Sequence, residues 1–218
     1  MFQKIVMNSG SVGIFDSLSI LNIEDSGSSF QLAEGYNAQQ FDLLPNLETL
    51  YLRHLTMLTS ISELAELLGL KLARLRKIKI ENCPRLKYLL SLGSSFQGLE
   101  QLTEISLELC EELEELFRND STNSPSQTLV SNLAFPKFEL MSLKSLPKLQ
   151  TFCRQSPITC PVISKIEVID CHLLTKLPVT IQNADTIKEI HGQRRWWRKL
   201  EWDNGEIKSS LEHIFVPV

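Results

Sequence analysis

The segment LARLRKIKIENCPRLKYL, residues 72–89, decides how this chain folds. Its apolar residues fall at Leu75, Ile78, Ile80, Cys83, Leu86 and Leu89. Ile78 and Ile80 are two apart, the period of a short strand with one buried face. Cys83, Leu86 and Leu89 then follow at steps of three, which carries the chain off the strand and around a turn. The same ruler fits GLEQLTEISLELCEELEELF (98–117) at Leu102, Ile105, Leu107, Cys110, Leu113 and Leu116. It fits CPVISKIEVIDCHLLTKL (160–177) at Ile163, Ile166, Val168, Cys171, Leu174 and Leu177. Two further copies are LPNLETLYLRHLTMLTSI (44–61), with Leu47, Leu50, Leu52, Leu55, Leu58 and Ile61, and FPKFELMSLKSLPKLQTF (135–152), with Phe138, Met141, Leu143, Leu146, Leu149 and Phe152. A weaker first copy, residues 16–30, has Leu18, Leu21 and Ile23 with Ser26 in the cysteine position; a truncated last copy begins at Ile187 and Ile190.

The second strand anchors are Ile23, Leu52, Ile80, Leu107, Leu143 and Val168, so successive copies are 29, 28, 27, 36 and 25 residues apart. Four of these five spacings have the period of leucine-rich repeats. The long one contains the polar insertion 118–132, RNDSTNSPSQTLVSN, whose composition is that of a loop. One such coil cannot bury its apolar face alone, whereas stacked coils bury it between them. The expected fold is therefore α/β: a curved leucine-rich-repeat solenoid of about six to seven repeats, with a parallel sheet on the concave face. Its outer side is expected to carry short helices or irregular turns. Segment 62–71, SELAELLGLK, is the best helix candidate, with Ser62 as cap and Leu64, Leu67 and Leu68 on one face.

Composition excludes several function classes. Of the 218 residues, 43% are apolar and 22% charged, as in a core-forming globular protein, and the formal charge of -4 does not suit a domain that coats nucleic acid. The apolar run Ile5, Val6, Met7 is cut short by Asn8, Ser9 and Gly10, so it does not read as a signal peptide. No stretch approaches the length of a membrane span. The five cysteines, Cys83, Cys110, Cys153, Cys160 and Cys171, are odd in number and scattered, so free thiols are expected. These features give a cytoplasmic reading, in which the sequon at Asn119 has no use.

The segments IENCPRLKYL, LELCEELEELF and VIDCHLLTKLP resemble the C-terminal repeats of plant intracellular coiled-coil, nucleotide-binding, leucine-rich-repeat disease-resistance proteins. The ending RRWWRKLEWDNGEIKSSLEHIF is similar too: a last short strand, Gly, a tryptophan, then L-E-W and an acidic residue. The resemblance covers the chain from about Leu44 to Phe215. The family's switch is a nucleotide-binding domain with a P-loop, G-x-x-x-x-G-K-S/T, and that motif does not occur here. The resemblance therefore implies the sensor and autoinhibitory end of such a receptor, as a truncated homologue or a fragmentary gene product.

Positions between the apolar strand residues face the concave side. The binding candidates there are Tyr51, Arg53, Lys77, Lys79, Glu81, Glu104, Glu108, Lys165 and Glu167. Acids and bases are mixed, which is not a phosphate track. Tyr51 and Arg53 are residue types that often dominate protein interfaces. The tail QRRWWRKLEW admits two readings. Its bases and indoles could stack on RNA or meet an anionic membrane. The favoured reading is a terminal cap, in which Trp196, Trp197 and Trp202 cover the last apolar edge while Glu201, Asp203 and Glu206 cancel most of the field. Cys83, Cys110 and Cys171 occupy equivalent turn positions and read as small buried apolar residues. The run Glu111, Glu112, Glu114, Glu115 reads as a solvated outer face. The four histidines show no metal-ligand spacing, and around His191 no carboxylate and nucleophile can be assigned. No catalytic constellation, cofactor site or metal site emerges, so the chain is not expected to be an enzyme.

The expected organisation is an incomplete repeat or edge over 1–17, repeats over 18–191 and a C-terminal cap over 192–218. Residues 1–17 hold no clear cap, so the first coil is expected to expose an apolar edge that upstream repeats would cover. The expected function is protein recognition and regulation in a plant intracellular immune receptor. Its partners would be the receptor's own switch domain, a pathogen effector or a guarded host protein; nucleic acid is not favoured. The alternative is a stand-alone cytosolic adaptor, such as a substrate-recruiting subunit of a ubiquitin ligase.

Overall fold

The computed structural model describes residues 18–24, 42–91, 99–118, 133–154 and 157–218. In chain order the elements are β1 (Ile20–Glu24), β2 (Thr49–Arg53), α1 (Ile61–Leu68), β3 (Lys77–Glu81), β4 (Leu90–Ser91), β5 (Glu104–Glu108), β6 (Glu115–Arg118), β7 (Leu133–Ala134), β8 (Leu140–Lys144), β9 (Thr151–Cys153), β10 (Ile158–Thr159), β11 (Lys165–Ile169), β12 (Glu189–Gly192), α2 (Arg194–Lys199), α3 (Gly205–Leu211) and β13 (Phe215–Pro217). Eight strands form one parallel sheet in the order β1-β2-β3-β5-β8-β11-β12-β13. Each repeat strand pairs in register with the next, so that Leu52, Ile80, Leu107, Leu143 and Val168 form one continuous buried row. The fold is a leucine-rich-repeat solenoid.

The alternation in the sequence explains this sheet directly. In β2, β3, β5, β8 and β11 the second and fourth residues are buried, while the first, third and fifth are exposed or half-buried. Each buried aliphatic side chain contributes roughly 1.5–3 kcal/mol. Coils are also tied through their backbones. Glu48 O accepts from the N–H groups of Arg76 and Lys77, and Arg76 O accepts from those of Thr103 and Glu104. Beyond the strands, the next residue turns left-handed: His54, Asn82, Leu109, Ser145 and Asp170 all have φ between 52° and 58°. That conformation costs an L-residue about 1–2 kcal/mol. The ladder offsets it, because the N–H groups of His54, Asn82, Leu109 and Ser145 each reach a carbonyl of the following coil at 2.9–3.1 Å.

The helix differs in detail from the expectation. α1 is capped by Ser60, whose side chain accepts from the Glu63 N–H at 3.0 Å, and it ends at Gly69 in the left-handed conformation, φ 63°. Ser62 lies inside the first turn, and its hydroxyl instead accepts from the Ser91 N–H at 2.7 Å, fastening α1 to β4. Ile61, Leu64, Ala65 and Leu68 are buried, whereas Leu67 faces out. The cap moves two residues upstream because Ile61 already belongs to the buried helical face.

The outer wall also departs from short helices and turns. β4, β6 and β9 form a second parallel sheet, and β7 pairs with β10. The acidic run is therefore not simply a solvated face: Glu115 opens β6 and is 5% exposed. Its carboxylate is held by Arg118 Nε at 3.0 Å and accepts from the Arg154 N–H at 3.4 Å. Glu112 pairs with Lys148 at 2.7 Å and Glu114 with Arg154 at 2.8 Å, while Glu111 is exposed. The expected N-terminal edge 1–17, the position of Ser26 and the insertion from 119 onward, with its sequon, lie outside the described residues.

Candidate functional site

The strands place every expected concave residue on one surface. Tyr51, Arg53, Lys77, Lys79, Glu81, Glu104, Glu108, Lys165 and Glu167 all stand at exposed or half-buried alternate positions. Asn22, Tyr51, Arg53, Lys79, Glu81, Ser106 and Glu108 line one groove across β1, β2, β3 and β5.

Charges on this face are paired from coil to coil in one direction. Arg53 of β2 meets Glu81 of β3 at 2.8 Å. Lys77 and Lys79 of β3 meet Glu104 of β5 at 3.0 and 3.3 Å. Lys144 of β8 meets Glu167 of β11 at 2.9 Å, and Lys165 of β11 meets Glu189 of β12 at 2.9 Å. Partial burial pushes the Glu104 carboxyl up, but the hydrogen bonds and charges of Lys77 and Lys79 together outweigh it and hold it below the ordinary carboxylate range. Glu167 behaves alike: burial raises it, and Ser142 and Lys144 more than compensate. Lys79 also lies over the Tyr51 ring, 5.7 Å from its centroid. Glu108 is the exception, exposed and without a side-chain partner among the described residues. Its register neighbour Lys144 is already engaged by Glu167.

A carboxylate does stand beside His191: Glu189 lies 2.9 Å from its Nε2. Sequence reasoning missed it because Glu189 sits in the truncated last copy. Among the described residues no group of three or more His, Cys, Asp and Glu side chains gathers as metal ligands would. All five cysteines are free, and Cys83, Cys110, Cys160 and Cys171 are buried. Burial pushes the Cys83 thiol up to about 11 and those of Cys110, Cys160 and Cys171 up to about 12. Cys83, Cys110 and Cys171 each donate to the carbonyl two residues back, at 3.6, 3.5 and 3.3 Å.

At the C-terminal end the tail divides into two faces. Trp196 and Trp197 are 4% and 3% exposed. Trp196 Nε1 donates to Leu174 O at 2.9 Å, and Trp197 Nε1 donates to Glu212 at 3.2 Å. The Trp197 ring stacks on Phe215 at 4.4 Å and meets Trp202 edge-on at 5.3 Å. Gly192 makes room for this: a Cβ there would lie 2.6 Å from the Trp196 ring. Arg194, Arg195, Arg198 and Lys199 are exposed. Of the acids expected to offset them, Glu201 faces Lys176 at 3.6 Å, Glu206 is hydrogen-bonded to Asn204, and Asp203 is exposed.

The stacked coils, their inward parallel sheet and a concave face of alternating charge define a leucine-rich-repeat protein of the solenoid class. The family of leucine-rich repeats described as plant disease resistance protein RPS2-like matches residues 1–111. Disease resistance protein At4g27190 of Arabidopsis thaliana is 32% identical over 224 aligned residues, covering 100% of this chain and 21% of the relative. Probable disease resistance protein At4g27220 of the same plant is 34% identical over 189 residues, covering 87% of this chain and 20% of the relative. The chain belongs to the leucine-rich-repeat family of plant disease resistance proteins. It spans about a fifth of the length of these relatives. No solved structure matches it. No helix among the described residues is long and apolar enough to cross a membrane.

Proposed function

We propose that the chain is the protein-recognition and regulatory repeat domain of a plant intracellular immune receptor, acting by binding and not by catalysis. The observation that carries the reading is the groove across β1, β2, β3 and β5, set in a repeat family of disease resistance proteins. Tyr51 offers an aromatic surface, the pairs Arg53–Glu81 and Lys79–Glu104 hold long side chains in fixed positions, and Glu108 is left to meet a cation of the partner. Pre-ordered side chains lower the entropy lost on binding. In this reading the repeats occupy 18–191, and 192–218 form the cap, with Trp196, Trp197 and Trp202 closing the last coil. The partner is the receptor's own switch domain, a pathogen effector or a guarded host protein, and the setting is cytoplasmic. The size of the native product tests the receptor reading. An immunoblot of plant tissue with an antibody against this region should give a band far above 24.8 kDa. A band at 24.8 kDa alone would favour the stand-alone adaptor.

A further inference from the structure

The basic face of α2 borders a cleft whose lining shares no residue with the concave groove. Successive helical residues are about 100° apart, so Arg194, Arg198, Arg195 and Lys199 fall on one side of α2 and Trp196 and Trp197 on the other. The indole side is buried against the last coil, which fixes the basic side outward. Among the described residues none of the four bases has an ion pair or a hydrogen bond for its side chain. That separates them from the concave bases Arg53, Lys77, Lys79, Lys144 and Lys165, each engaged by a glutamate. Beside the helix a cleft is lined by His172, Gln193, Arg195, Trp196 and Lys199. Asp170 accepts from Gln193 Nε2 at 2.6 Å, and Glu201 faces Lys176 at 3.6 Å, so neither is paired with a base of the helix.

We propose that this face binds an acidic protein segment in extended form, with one carboxylate in the cleft between Arg195 and Lys199 and another on Arg194 and Arg198. Residues four apart on a helix are neighbours, so two pairs of bases present two adjacent anion positions. Arginine forks match carboxylates in a bidentate manner. A single strand of nucleic acid fits less well, because such strands rely on stacking and both indoles are packed inside. An anionic bilayer fits less well too, because the outward side of α2 carries no apolar residue to enter it.

The test uses the full chain and a fluorescein-labelled peptide of alternating glutamate and glycine, followed by anisotropy at low and moderate salt. The peptide should bind, more weakly as salt rises. Replacing Arg194, Arg195, Arg198 and Lys199 by Gln should weaken it roughly tenfold or more, as expected for losing several exposed charge contacts. The control Lys71→Gln with Lys87→Gln should leave it within about twofold, since those exposed bases line neither the concave groove nor the α2 cleft. If the fourfold variant does not fold by circular dichroism, Arg195→Gln with Lys199→Gln is used in its place. No binding by the unmodified chain, or equal binding by the α2 variants, overturns the proposal. Tighter binding of an oligouridylate or of phosphatidylserine vesicles than of the peptide overturns it as well, in favour of those ligands.

Discussion

The concave sheet and the outward face of α2 carry similar side chains in opposite states. On the sheet, bases from β2, β3, β8 and β11 each find an acid one coil further along. On α2, four bases within six residues find none among the described residues. The difference comes from architecture. Register-matched parallel strands bring residues some 28 positions apart side by side, so a base can meet an acid at the same position of the next coil, as Arg53 meets Glu81 and Lys77 meets Glu104, or on the diagonal, as Lys144 meets Glu167. α2 stands outside the sheet, so no register-matched strand supplies it with an acid. Paired charges shape a surface and restrain its side chains; unpaired charges create a field that reaches outward.

The two faces lose their distinction most completely if the indole side of α2 is removed. Trp196→Ala should destabilise the chain by about 3–5 kcal/mol, read by urea unfolding, and should disperse the basic face with it. Gly192→Ala should act through the same ring, because its Cβ would collide with Trp196; the expected loss is about 1–3 kcal/mol. A smaller contrast sharpens the point. Trp196→Phe gives up the bond to Leu174 O and should cost about 1 kcal/mol or more beyond its lost area. Trp202→Phe should cost no more than its lost area, because the buried Trp202 Nε1 has no partner to lose.

The sheet pairs should weaken with acid. The folded values of Glu104 and Glu167 lie below the ordinary carboxylate value, so their stabilisation is full above that ordinary value and is lost as pH falls through the lower folded values. Because these pairs are partly solvated, the loss should stay below about 1 kcal/mol for each, and Glu104→Gln should flatten that part of a pH–stability curve. The smallest effect is expected on α2. Gln at Arg194, Arg195, Arg198 and Lys199 should leave stability within about 0.5 kcal/mol for each residue, since they hold nothing in place.

Much of this architecture is legible from spacing. The period-two anchors Ile78 and Ile80, repeated five times, read out the inward sheet, and the turn cysteines read correctly as buried. What spacing hides is chemistry that depends on the neighbouring coil. Glu115 reads as one glutamate of an acidic run, yet β6 turns it inward onto Arg118 because β4 and β9 pair beside it. Ser62 precedes an apolar stripe and reads as a cap, but Ser60 has the extended backbone the cap needs. Among the left-handed residues His54, Asn82 and Asp170 are of types favoured at positive φ, but Leu109 and Ser145 are not, so no common turn signal announces the position. The pairing of Arg53 with Glu81 follows only once the register is known.

In the proposed function the concave groove recognises protein. Hydrogen exchange on the chain, alone and mixed with the nucleotide-binding switch domain of the proposed receptor, tests it most directly. Slowed exchange at β2, β3 and β5, abolished by Tyr51→Ala with Glu108→Lys, is the predicted result. Binding of the switch domain with protection confined to the outer strands β4, β6 and β9, and unaffected by those substitutions, would contradict it.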